Sequence, residues 1–170
     1  MATAWTQSER RVQVHEIGHG VIDFLTVGRT SDRAVALVGG EYVGISEPIG
    51  GGKTFAAMDR TERLQSVAGF WGGWAAVHLA ISDGLLPEEP AGVESTYGDR
   101  GFLGGRLSDQ GWVEHFSGLA GDPDPIAFAE EARKLALGLL EPHMATVLAL
   151  AAQMDGRGVL PSEDLEAALR

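Results

Sequence analysis

The chain has 170 residues, 44% hydrophobic and 22% charged, which is ordinary usage for one compact domain and excludes wholesale disorder. A net charge of -11 and an isoelectric point near 4.8 give a surface that repels phosphate backbones, so nucleic acid is not an expected partner. The absence of cysteine removes disulfides and thiolate ligands, so any metal must be held by His, Asp or Glu.

The first residues, Met1 to Arg11, are polar and lack the apolar centre of a signal peptide. The longest apolar stretch, Ala145 to Met154, falls short of the ~20 residues a bilayer requires. The expected compartment is cytoplasmic, with no membrane segment.

Thr6 and Glu9 have capping-box spacing, and apolar residues recur at Val12, Val14, Ile17, Val21, Ile22 and Leu25. This pattern predicts a helix from Gln7 to Thr26, ended near Gly28. Two Val/Ile-rich runs around Gly39-Gly40 predict a hairpin of Ala34–Val38 and Tyr42–Ser46. Gly50 to Lys53 reads as a flexible loop. It is not a nucleotide-binding loop, because Glu47 stands where that motif needs glycine, so no ATP is expected.

Asp59 with Glu62 forms a second capping box and opens a long helix to about Ile81. Leu85 to Arg106 carries Pro87, Pro90 and several glycines and reads as a long loop, a length usually tied to function or motion. Helices are then expected from Ser108 to about Leu119, from Asp124-Pro125 to about Met154, and briefly after Pro161-Ser162. The expected fold is a single mainly α (α+β) domain spanning the chain, helical with a small hairpin or sheet.

Residues 15 to 19 read His-Glu-Ile-Gly-His, an HExxH pattern. Histidines at i and i+4 lie one turn apart on one helix face, so His15 and His19 can reach the same cation. Zinc accepts such nitrogens at about 2.0–2.1 Å. Glu16 lies about 100° around the helix from His15, near the metal without ligating it. Zinc lowers the pKa of water to about 7, and Glu16 is placed to take that proton and pass it to a leaving amine. Short patterns arise by chance, and most helical histidines are structural or solvated. Here the pattern falls within an amphipathic helix. Gly18 and Gly20 flank His19 although each costs roughly 1 kcal/mol of helix stability relative to Ala, which points to a close approach.

A third ligand must come from later in the chain. The extended metzincin pattern would need Gly at 22 and His at 25, and the chain has Ile22 and Leu25. Asp99, Glu94 and His78 are candidates with plain alternatives, the first two as loop solubilisers and His78 as a core or surface histidine, and His115 and His143 read as surface residues.

The sequence resembles the peptidase domain of the FtsH family of AAA+ zinc proteases. Ser8-Glu9 through His15-Glu16-Ile17-Gly18-His19-Gly20 is similar to that family's lead-in and metal motif. Glu41-Tyr42-Val43-Gly44 resembles its following strand, and Met58 to Glu62 the start of its next helix. Gly72-Gly73-Trp74-Ala75-Ala76 resembles its Gly-Gly-Arg-Ala-Ala signature, and Leu139 to Leu165 its closing helices. The order and spacing agree over nearly the whole chain.

In that family an Asp at a helix start completes the metal site. Ser108-Asp109, after Gly104-Gly105, matches that position best, so the resemblance implies Asp109 as third ligand. Ser108 stands for the family Asn, Trp74 for its Arg, and Val77-His78 for residues usually acidic.

The resemblance implies a zinc metallopeptidase. Without the family's ATPase motor, the expected substrate is a peptide or unfolded segment, which would add itself as a strand beside Tyr42–Ser46. Two other functions fit the same residues: a zinc hydrolase of a small amide, and a degenerate peptidase domain serving as a binding or regulatory module. A homo-oligomer is open. Phe70, Trp71 and Trp74 suit a core better than a subunit contact.

Overall fold

The computed structural model describes residues 8–47, 49, 52–89 and 108–170. The chain is mainly helical with one small antiparallel sheet. In chain order the elements are α1 (Glu9–Val27), β1 (Arg33–Val38), β2 (Glu41–Gly44), α2 (Arg60–Ser82), α3 (Asp109–Leu119), α4 (Pro125–Leu140), α5 (Met144–Gln153), β3 (Val159–Leu160) and α6 (Ser162–Leu169).

Helix α1 is the hub and packs against α2, α4, α5, α6 and both strands of the hairpin. Its buried face extends nearly all round: Val14, Ile17, Val21 and Ile22 are fully enclosed, and even Arg11 and Gln13 are buried. Those two keep polar partners, Arg11 with Glu89, and Gln13 Nε2 donating to Asp155 Oδ1 at 3.0 Å. A helix enclosed on most sides holds its side chains rigidly, which suits it to carry ligands.

The start of α1 differs from the capping box expected of Thr6 and Glu9. Ser8 is the N-cap, its side chain accepting the backbone N–H of Arg11; Thr6 and Gln7 lie outside the described residues. Gly28 ends the helix in the left-handed region at φ 80°, where glycine lacks the Cβ penalty.

Gly39 and Gly40 have φ of 59° and 85°, the pair of positive values that a two-residue hairpin turn of the strand-matching hand requires. The register runs from Val38↔Glu41 to Val35↔Gly44, so β2 is Glu41–Gly44 rather than Tyr42–Ser46. β1 begins one residue earlier than expected, at Arg33. The sheet order is β2-β1-β3, with β3 pairing Arg33↔Leu160 and Ala34↔Val159. Two residues are too few for a period-2 signature, so this third strand is invisible in the sequence.

The Asp59–Glu62 capping box forms in full and starts α2, as read from the sequence. Ser108 caps α3 and Asp124 caps α4, the latter with Pro125 in the first turn. The single helix expected from Asp124 to Met154 is instead two, parted by a 3-10 turn at Glu141–His143. Pro142 cannot donate to the α-helical ladder, and a tighter turn accommodates it.

The whole run Pro125–Gln153 has 29 residues and is long and apolar enough by composition to cross a bilayer, where the longest apolar stretch was expected to be Ala145 to Met154 and too short to do so. Its inner face supplies Phe128, Ala132, Leu140, Val147 and Leu150 to the core shared with α1 and α2.

Helices α1 and α2 cross at two glycines. A side chain on Gly18 would strike the carbonyl of Gly72, and one on Gly72 would lie 2.9 Å from the carbonyl of Gly18. Backbone thus meets backbone beside His19, the close approach expected at Gly18, while at Gly20 a Cβ would meet the Leu165 side chain.

Candidate metal centre

His15 and His19 project from one face of α1, and Asp109 from the first residue of α3. Their reactive atoms form a nearly equilateral triangle. His15 Nε2 lies 3.0 Å from His19 Nε2, His15 Nε2 lies 3.0 Å from Asp109 Oδ2, and His19 Nε2 lies 3.1 Å from Asp109 Oδ2. Among the described residues this is the group of His, Asp and Glu side chains able to share a metal ion.

The triangle fits zinc. Bonds of about 2.0–2.1 Å at tetrahedral angles separate neighbouring donors by roughly 3.3–3.4 Å. The observed separations of 3.0–3.1 Å fall about 0.3 Å short of that, so His15, His19 and Asp109 would hold such an ion after a small outward adjustment. Two imidazoles and one carboxylate also match zinc's borderline preference, in a chain without cysteine.

The tautomer of His19 is fixed. Its Nδ1 lies 2.7 Å from the carbonyl of Gly69 on α2, and a carbonyl only accepts, so Nδ1 carries the hydrogen. In the neutral ring Nε2 is then the lone-pair nitrogen, turned toward His15 and Asp109. Gly73 gives His15 its room, because a Cβ there would strike the imidazole ring. The Gly72-Gly73 pair therefore serves two ends. One glycine admits the backbone of α1 and the other admits its histidine.

Charge in the triangle is strongly coupled. Burial opposes a positive His19, but the Asp109 carboxylate beside it, with Glu16 and the Gly69 carbonyl, outweighs burial and lifts its pKa to about 9. Burial likewise pushes the Asp109 carboxyl up, yet the charge of His19 and the hydrogen bonds of both imidazoles hold it well below the usual carboxylate range. The side chains of His19 and Asp109 are 13% and 19% exposed, so the triangle opens to solvent on that side while His15 is enclosed.

Glu16 is buried, and its charge is felt by His19. Its carboxylate lies against Gly44 at the end of β2, and Oε2 accepts the hydroxyl of Ser46. Beside Asp109, Trp112 stacks on Phe70 at 6.0 Å and on Phe116 at 5.6 Å, and Phe70 on Phe116 at 5.5 Å, an aromatic wall joining α2 and α3.

Of the other residues considered for ligation, His78 is exposed on α2 and stacks on Trp74 at 4.8 Å. His115 is exposed on α3 against Trp112 and Phe116, and His143 sits in the 3-10 turn. Asp99, Glu94 and the Gly104-Gly105 pair lie outside the described residues. Trp71 is buried in the core and donates its indole N–H to the Ala129 carbonyl at 3.1 Å, while Phe70 and Trp74 are half-buried.

Gly69, Gly73, Gly44 and Ser46 were not singled out as parts of the site by sequence reasoning. The Gly-Gly pair and the Gly44 segment carried a signal only as matches to a family pattern. Ser46 carried none, being thirty residues from the carboxylate it touches. No protein-family model matches the chain, and no curated protein matches it significantly.

Proposed function

We propose that this chain is a zinc-dependent metallopeptidase, with His15, His19 and Asp109 as the metal ligands and Glu16 as the catalytic base. The observation that carries the reading is the meeting of three donor atoms within 3.1 Å of one another, with a buried carboxylate one residue from the first of them. When bound, zinc supplies a Lewis acid for a carbonyl oxygen and lowers the pKa of water to about 7.

The residues of the chain do the rest. Glu16 accepts a proton and returns it to the departing amine, the two halves of general acid–base catalysis by one carboxylate. Gly69 holds the His19 ring in the ligating tautomer through its carbonyl. Among the described residues β2 forms one edge of the sheet beside Glu16, and such an edge suits an extended peptide laid down as a further strand. The aromatic wall at Trp112 and Phe116 offers apolar contact for a side chain of that peptide.

The FtsH-like order of motifs supports a peptide substrate over a small amide. The same resemblance implies Asp109 as the third ligand. The test combines metal analysis with turnover. Wild type should hold one equivalent of zinc, and His19→Ala and Asp109→Ala should each lose it. Glu16→Gln should keep zinc and lose cleavage of unfolded casein. Cleavage of small amides but not casein would transfer the site to a different substrate class, and wild type purified without zinc in the absence of chelator would remove the enzymatic reading.

A further inference from the structure

Glu16 meets the sheet at two points. Its Oε1 occupies the space into which any side chain at position 44 would project, so only glycine admits the carboxylate there. Two residues on, Ser46 donates its hydroxyl hydrogen to Glu16 Oε2. The same Ser46 oxygen accepts the backbone N–H of Ala34 at 3.0 Å.

That second bond decides the direction of the first. A hydroxyl has one hydrogen and two lone pairs, and a main-chain N–H can only donate. With Ala34 on a lone pair, the single hydrogen of Ser46 is committed to the carboxylate. Ser46 lies just past β2 and is itself tied to β1. The ladder's last paired residues are Val35↔Gly44, Ile45 N–H then donates to the Ala34 carbonyl at 3.0 Å, and the Ser46 side chain takes the N–H of Ala34. β1 is fixed in turn, because Val35 N–H donates to Gly158 at 2.8 Å and Arg33 pairs with Asp23 of α1 at 2.8 Å.

We infer that Ser46 is a positioning residue for Glu16, restricting the rotamers of that side chain so that its carboxylate is held at the end of β2, one residue along α1 from His15. The inference rests on the peptidase reading for its catalytic consequence, but the contact itself does not. A glutamate has three side-chain torsions, and a base that must sit within hydrogen-bond reach of its proton gains from losing that freedom before the reaction. Gly44 supplies the space and Ser46 the anchor.

The test uses zinc-loaded wild type, Ser46→Ala and Ser46→Thr on fluorescein-labelled casein, together with unfolding of the EDTA-treated proteins in a Ser46→Ala/Glu16→Ala double-mutant cycle. Ser46→Ala should keep one zinc and lose kcat about tenfold or more at unchanged KM, and Ser46→Thr, which restores the hydroxyl, should recover most of it. In the cycle, Ser46→Ala should raise the unfolding constant at least about fivefold less when Glu16 is already alanine. Ser46→Cys keeps the shape with a weak donor and should give the same split if the alanine variant does not fold. An active wild type whose Ser46→Ala retains full kcat, or additive effects in the cycle, would overturn the inference. A zinc-loaded wild type that never cleaves casein removes the peptidase reading alone, and the cycle then decides whether Ser46 orients Glu16.

Discussion

His19 and Asp109 stand 90 residues apart in the chain, yet Nε2 of one lies 3.1 Å from Oδ2 of the other. The contact joins the middle of α1 to the first residue of α3. Replacing Asp109 by Asn keeps the shape and removes the charge that zinc would meet. Competition against a zinc chelator should show the affinity of Asp109→Asn reduced by more than about a hundredfold, beyond the usual cost of losing an outer partner. Equal affinity in wild type and Asp109→Asn would exclude Asp109 from the ligand set.

The same pair sets a pH dependence that zinc should reverse. In metal-free protein the pKa of His19 is raised from 6.5 to about 9, so the folded state binds its proton more tightly than the unfolded chain. The resulting stability is complete below about pH 6.5 and is lost as pH rises toward 9. Asp109, held low, contributes above its ordinary range near 3.8 and loses that contribution as pH falls below it. In EDTA, Tm should therefore decline from pH 6.5 to 9 relative to Asp109→Asn. With zinc the ligands must shed the proton, so the gain in Tm on adding zinc should grow over that interval. Thermal scans with and without the metal measure both slopes, and parallel curves for wild type and Asp109→Asn in EDTA would contradict the ion pair.

Glycines in these helices should respond to alanine in opposite ways. Gly138 lies exposed on α4 with open space where a Cβ would stand, so Gly138→Ala should stabilise by up to about 1 kcal/mol through helix propensity. Gly18→Ala gains the same propensity but must push α1 from α2, and should instead destabilise by about 1–3 kcal/mol. Gly73→Ala should fold less stably and also bind zinc weakly, because its methyl strikes the His15 ring. Urea unfolding of the three variants beside zinc analysis separates the cases, and a stabilised Gly18→Ala would show that the helices do not cross this closely.

Two arginine pairs offer a contrast in burial. Arg33 is 5% exposed and donates to Asp23 at 2.8 Å, while Arg60 is 57% exposed against Asp122 and Glu131. Removing Arg33 leaves the Asp23 carboxylate half enclosed without its cation, and should cost about 3 kcal/mol. Arg60→Ala should cost far less, because solvent screens its pairs with Asp122 and Glu131. Chemical denaturation of the two variants gives the comparison, and equal losses would contradict it.

What could be read in advance follows the range of each interaction. The Asp59–Glu62 box, the Gly39-Gly40 turn, the Gly28 stop and the Ser108 and Asp124 caps are satisfied within a few residues, so the local pattern suffices. His15 and His19 belong to the same class, being one helical turn apart. Asp109 does not, and only a family resemblance singled it out. Ser46 and Gly44 reach Glu16 through the hairpin, and β3 exists only because β1 lies beside it, so neither has a signature in its own neighbourhood. The break at Pro142 was hidden by apolar spacing that carries on across it, with Leu140, Met144 and Val147 all facing the core.

Two of the three donors are preset within a single turn of an enclosed helix, whereas the third opens a short helix that leans on α2 and α4. A cation shared between them would therefore also be a clasp, fastening the front of α3 to the centre of the molecule. Chelation should unfasten that end before anything else, with amide hydrogens of Gly111 to Val113 exchanging faster while those of α1 stay protected. Occupancy of the site and closure of its Asp109 wall would then be one event.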